Sequence, residues 1–160
     1  MKANELKNYK LFLDLDGVLA DFDSRVYEIL GDYPNNLKQN AMWKELKNPK
    51  HDFYYSLNFM KDGLQLWNYC KSYNPTIITG CPLGNWAPKQ KERWVHDNLG
   101  PDVSLITCMA KEKYKYSDIN HILIDDRPEK SKNTWETSGG IFITHKNAIK
   151  SIEELKKLGL

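Results

Sequence analysis

Asp14 and Asp16 stand two residues apart at the end of an apolar run, Lys10 to Leu15 (KLFLDL), with Gly17 directly after them. In an extended chain, residues i and i+2 project to the same side, so both carboxylates face one way. Like charges this close at a buried strand end repel each other, which creates a demand for a cation. Gly17 permits a sharp exit from the strand. A bare Asp-x-Asp-Gly also fits an ordinary acidic turn, so its weight depends on the rest of the chain. A second acid pair, Asp125-Asp126, closes a second apolar run, Ile122-Leu123-Ile124. Taken alone, a helix N-cap and an acid near the helix dipole account for it. Together, four carboxylates at two strand ends make an oxygen-rich site suited to Mg²⁺ rather than to a soft metal.

Two further features belong with these acids. Thr79-Gly80 ends the run Pro75 to Thr79 (PTIIT). A hydroxyl there can donate to a phosphate oxygen, although a β-branched residue also simply suits a strand end. Lys111, Lys113 and Lys115 precede the second acid run. One of them in the site would neutralise a phosphate and an attacking carboxylate, while the others fit a solvated basic loop. His51, His96, His121 and His145 show no metal spacing and read as surface or satisfied residues.

The elements that must position these groups alternate between short apolar runs and longer amphipathic segments. Strands are expected at Lys10–Leu15, Pro75–Thr79, Val103–Thr107, His121–Ile124 and Gly140–Thr144. Helices are expected over Asp21–Leu30, Leu37–Leu46 and Asp62–Tyr73, and over Lys89–Leu99 with a stop at Gly100-Pro101. Two more follow, one opening at Pro128 and one capped by Asn147 and ended by Gly159. Strands separated by helices predict an α/β fold, a doubly wound parallel sheet with its site at the carboxyl ends of the strands. The stretch from Phe22 to Phe59 is too long for a plain crossover. It reads as a small helical cap, residues 22–59, inserted after the first strand into a core of residues 1–21 and 60–160.

Composition narrows the class. The chain has 160 residues, 41% hydrophobic and 28% charged, with a net charge of +2. That is one globular domain's worth of core, without the strongly basic face of a polymeric nucleic-acid binder. Cys70, Cys81 and Cys108 are odd in number and lack CxxC spacing, which argues against a disulfide framework or a zinc site. Reduced thiols point to the cytoplasm. Met1 to Lys10 has no apolar segment of the signal-peptide kind, and no apolar run is long enough to span a membrane.

The order DLDGV, IITG, lysine, LIDD resembles the four-motif signature of the haloacid dehalogenase (HAD) superfamily, spanning Asp14 to Asp126. DLDGVLADF, Phe53-Tyr54-Tyr55-Ser56-Leu57, Lys91-Glu92-Arg93-Trp94-Val95 and LIDDRP resemble its 5'(3')-deoxyribonucleotidase branch. The resemblance implies a Rossmann-like HAD fold and Mg²⁺-dependent hydrolysis of a small phosphate ester, a nucleotide in that branch. It implies no membrane partner and leaves room for a homodimer. Asp14 matches the nucleophile that forms an aspartyl-phosphate. Asp16 matches the acid and base, with its backbone carbonyl on the metal. Thr79 and Gly80 match the phosphate-binding turn. Lys113 matches the motif lysine, with Lys111 and Lys115 as alternatives, and Lys91 is a second basic candidate. Asp125 and Asp126 match the metal-holding pair, one direct and one through water. Phe22 and the Phe53-Tyr54 run match aromatics that pack on a nucleobase, a contact of about 1–3 kcal/mol per base, with the cap's own small core as the alternative for these rings. Trp43 and Phe59 fit the cap's own core, Trp94 fits a helical core position, and Arg127 fits a partner for a nearby carboxylate.

Three competing readings remain at this level. One is a phosphatase for another phosphomonoester such as a sugar phosphate. Another is a receiver-like phospho-acceptor domain, against which Asp16 and the insertion weigh. The third is a silent nucleotide-binding module, which the sequence does not support because every motif position is filled.

Overall fold

The computed structural model describes residues 8–160, so the reading of the first seven residues lies outside it. Five parallel strands form one sheet in the order β3-β2-β1-β4-β5. They are β1 (Lys10–Leu13), β2 (Thr76–Gly80), β3 (Leu105–Cys108), β4 (His121–Asp125) and β5 (Ile141–Thr144). β1 is central: Leu13 is in register with Ile77 of β2 on one side and with Ile124 of β4 on the other. The chain winds outward from β1 to β3, then returns to lay β4 against β1. The strand order therefore switches beside β1, where ligands of such sheets bind.

Strand alternation sorts the core into two faces. Leu11, Leu13, Ile77, Ile122 and Ile124 belong to the larger apolar cluster, which also holds Trp94 and Leu155 from two helices. Phe12, Ile78 and Leu123 face the other way and pack with Trp135. Both faces are thus covered, as a parallel sheet requires.

The helices are α1 (Phe22–Leu30), α2 (Gln39–Leu46), α3 (Gly63–Cys70), α4 (Trp86–Asn98), α5 (Pro128–Thr137) and α6 (Ala148–Leu158). Local chemistry sets several ends. The Asp21 carboxylate accepts from Ser24 N–H at the start of α1. The Asn147 side-chain Oδ1 accepts from Lys150 N–H at the start of α6, and Gly159 closes that helix in the left-handed region at φ 100°. Helix α4 starts three residues before the expected Lys89, because Pro88 falls in the first turn, where its missing N–H has no intrahelical partner to lose. The expected basic loop is a 3-10 helix, Ala110–Tyr116. Strand β3 starts at Leu105 rather than Val103, and β1 stops at Leu13.

Residues 22–59 are mainly helical and leave the sheet through a narrow neck. Asp21 N–H donates to Asn58 O at 2.8 Å and Met60 N–H to Leu19 O at 2.7 Å, around an antiparallel bridge between Ala20 and Phe59. Beyond the neck the apolar packing is continuous: Phe22, Met42, Leu46 and Phe53 share one cluster with the sheet. Helix α4 grips the insertion from below. Trp94 Nε1 donates to Leu57 O at 2.7 Å, Tyr54 N–H donates to Gln90 Oε1 at 2.8 Å, and Arg93 bonds both oxygens of Asp52 at 3.0 Å. Trp94 is structural, as its spacing indicates. Among the described residues no helix is long and apolar enough to cross a membrane.

Candidate active site

The acids meet where the sheet order switches. Asp14 leaves the end of β1, its N–H still bonded to Ile124 O at 2.9 Å. Asp125 ends β4 and Asp126 follows it. Asp14, Asp125 and Asp126 each offer a carboxylate oxygen within 4.8 Å of the others. Gly17 makes this approach feasible: its φ is +80°, and a methyl group built there would overlap the Asp126 carboxylate. Asp125 also does the local work expected of a cap, with Oδ1 accepting from Arg127 N–H at 2.9 Å.

Of the three lysines, only Lys113 turns inward. It is 3% exposed, and its Nζ donates to Asp14 Oδ1 at 3.0 Å and Asp125 Oδ2 at 2.8 Å. Lys111 is exposed, and Lys115 pairs with Glu112 at the surface. Gly80 lets the lysine segment come close, since a methyl there would sit 3.0 Å from Ala110 Cβ. Both carboxylates raise the Lys113 pKa, against the burial that opposes them, so the ammonium form persists.

One lysine does not neutralise three acids. Burial, then the charge of Asp14, pushes Asp125 up to about 6 despite Lys113. Burial, then the charges of Asp14 and Asp125, pushes Asp126 up to about 7. Asp126 Oδ1 is buried without a hydrogen-bond partner. An all-oxygen cluster with excess negative charge and an orphaned lone pair fits a hard divalent cation such as Mg²⁺.

Asp16 stands apart from this cluster. It is half-buried, with Oδ2 held by Lys91 Nζ at 2.8 Å and an enclosed Oδ1 left unpartnered. Burial raises its pKa, and Lys91 opposes that. Lys91 is fully buried on α4 and also donates to Thr79 Oγ1 at 2.7 Å and Gly80 O at 2.8 Å. It orients Asp16 and the end of β2.

A cavity of about 480 Å³ opens over these groups, bordered by Asp14, Asp16, Gly80, Lys113, Asp125 and Asp126 on the sheet side. Phe22, Gln39, Trp43 and Tyr54 border it from the insertion, and Arg127, which caps α5, and Lys130, within that helix, border it too. Lys91, Thr79 and Phe53 lie behind this wall, each fully buried, because packing and the Lys91 hydrogen bonds hold them in the interior. The structure thus corrects their expected placement as substrate-contacting groups. Trp43 is likewise corrected: it borders the cavity instead of serving only the insertion's core. Phe59 packs edge-on against Trp94. Arg127 makes no side-chain ion pair among the described residues and borders the cavity. Its position directly after the acid pair was the one sequence signal for it; Gln39 and Lys130 carried none. The histidines bond locally, His145 to Ser151 Oγ and His51 to Glu45, and none joins the acids.

No family model matches the chain, and no curated protein matches it either. Solved structures share its fold. A HAD-superfamily hydrolase from Ehrlichia chaffeensis superposes with a TM-score of 0.56 at 11% identity, covering 93% of this chain and 96% of its own. A hydrolase from Streptococcus pneumoniae gives 0.55 at 13% identity, covering 92% and 98%. At such identity the likeness is one of fold, over nearly the whole length of both chains.

Proposed function

We propose that the chain is a HAD-type phosphomonoester hydrolase that works through an aspartyl-phosphate on Asp14 and acts on nucleoside monophosphates. The observation that carries this reading is the convergence of Asp14, Asp125 and Asp126 within 4.8 Å, with the Lys113 ammonium bridging Asp14 and Asp125. A carboxylate attacks a phosphate dianion poorly, because both are anions. Lys113 offsets that repulsion at the attacking oxygen, and electrostatic stabilisation of this kind is a large part of phosphoryl-transfer catalysis. Asp14, Asp125, Asp126 and the Asp16 backbone carbonyl would hold Mg²⁺, which supplies Lewis-acid charge stabilisation when bound. Asp16 must give a proton to the leaving oxygen and then take one from water. Burial raises its pKa, which favours the protonated form that the first step needs, while Lys91 restrains that rise and steadies the ionised form that the second step needs. A covalent intermediate divides one hard displacement into two. A receiver-like domain has no counterpart to Asp16 in its site.

The nucleotide preference rests on the aromatic surface of Phe22 and Trp43 at the cavity wall, together with the motif resemblance. With Phe53 behind the wall, this surface is smaller than the sequence implied, which favours a sugar phosphate as the second reading. Phosphate release from a panel of nucleotides and sugar phosphates in Mg²⁺ separates the two. A sugar phosphate leading the panel removes the nucleotide assignment.

A further inference from the structure

Tyr54 lies in the insertion at the cavity wall, 2% exposed. Its ring is fully enclosed: Lys91 Nζ sits 4.4 Å from the centroid, Trp86 lies 5.3 Å away at 31°, and Phe53 meets it edge-on at 5.0 Å. A ring so covered has no free face for a planar group to stack on. Its hydroxyl differs. It makes no hydrogen bond among the described residues, yet it is not among the orphaned polar atoms shut off from solvent. It is therefore the part of Tyr54 that reaches the cavity, an unpartnered donor on an otherwise buried side chain.

Its location indicates what it meets. The same Lys91 Nζ that covers the ring holds Asp16, the group assigned to the leaving oxygen. Asp14, at the end of β1, and Lys113, on the 3-10 helix before β4, mark where phosphorus would sit, whereas Tyr54 enters from the insertion. Its hydroxyl thus borders the alcohol half of an ester. Burial, and then the Asp16 charge, keep the phenol pKa well above its usual value, so the group remains a donor at working pH.

Resting on the hydrolase reading above, we propose that the Tyr54 hydroxyl donates a hydrogen bond to an oxygen of the substrate's alcohol part, so that the site selects phosphate esters of sugar-like alcohols. An ester lacking an acceptor oxygen there leaves the buried hydroxyl unpaired, and sites built to pair a polar group discriminate against substrates that lack its partner.

The test compares kcat/KM for ribose 5-phosphate and pentyl phosphate, which has the same five carbons and none of the sugar's other oxygens. Wild type and Tyr54→Phe are assayed in Mg²⁺, with thermal midpoints as a folding control. The hydroxyl bonds nothing in the protein, so the phenylalanine variant is expected to fold as wild type does. Wild type should favour the sugar ester, and Tyr54→Phe should shrink that ratio by about tenfold, mainly by losing activity on the sugar ester. An unchanged ratio overturns the proposal while leaving the hydrolase reading intact. No Asp14-dependent turnover of any ester by wild type overturns both.

Discussion

At the scale of single residues, charge balance governs the site. Asp14→Asn keeps the side chain's size but removes the attacking carboxylate. Turnover should fall by at least about 10³-fold with the thermal midpoint little changed, as measured by phosphate release and thermal unfolding. Near wild-type turnover would refute Asp14 as the nucleophile. Lys113 has a second consequence, because its loss leaves two buried acids without their cation. Removing one partner of such a pair costs about 3–5 kcal/mol. Lys113→Met should therefore lower both activity and metal-free stability. The raised acids also predict a pH dependence. In the fold, Asp125 and Asp126 take up protons near 6 and 7, well above the 3.8 of the unfolded chain. The folded state binds more protons between these limits, so metal-free stability is greatest on the acid side and declines as pH rises through about 6 to 7. Thermal midpoints in chelator at pH 5.5 and pH 8, two points chosen to lie on either side of roughly that window, should differ in that direction. Asp126→Asn should reduce the difference.

At the scale of elements, α4 is the part that connects the insertion to the chemistry. One face of it holds Asp16 and the end of β2 through Lys91, and the same helix holds Leu57, Tyr54 and Asp52 through Trp94, Gln90 and Arg93. Trp94→Phe keeps a ring in the core but leaves the Leu57 carbonyl unpaired. It should cost about 1–3 kcal/mol, read as a lowered midpoint in denaturant unfolding. Because the insertion supplies Phe22, Trp43 and Tyr54 to the cavity, KM should rise in this variant more than kcat falls. A fall in kcat alone would show that α4 acts on the reaction only through Lys91.

At the scale of the whole molecule, the acids sit at the ends of β1 and β4, the middle of the sheet, and not on a peripheral loop. A cation bound there stabilises the native state against global unfolding, by about 2.7 kcal/mol at a hundred times its dissociation constant. Mg²⁺ should raise the thermal midpoint of the wild-type protein, while an equal ionic strength of Na⁺ should not. Chelation should remove both the stabilisation and the activity, and renewed Mg²⁺ should restore them. A midpoint indifferent to Mg²⁺ would contradict the metal site directly.

The local pattern of the chain determined a good deal of this. The two acid pairs, the five strands and the Asn147 and Gly159 helix ends follow from contacts within a few residues, where side-chain periodicity and capping chemistry operate, and the alternation of strands with helices implies the parallel architecture. The choice of Lys113 over Lys111 and Lys115 came from motif spacing, and the 3-10 helix turns that one residue inward. Long-range contacts decided the rest. Lys91 became the holder of Asp16, 75 residues away, and Phe53 went behind the wall while Trp43 came into it. Which aromatic of a cluster faces a cavity depends on how an insertion packs against a distant helix. That packing is a sum of many weak contacts across the sheet, and no short stretch of sequence encodes it.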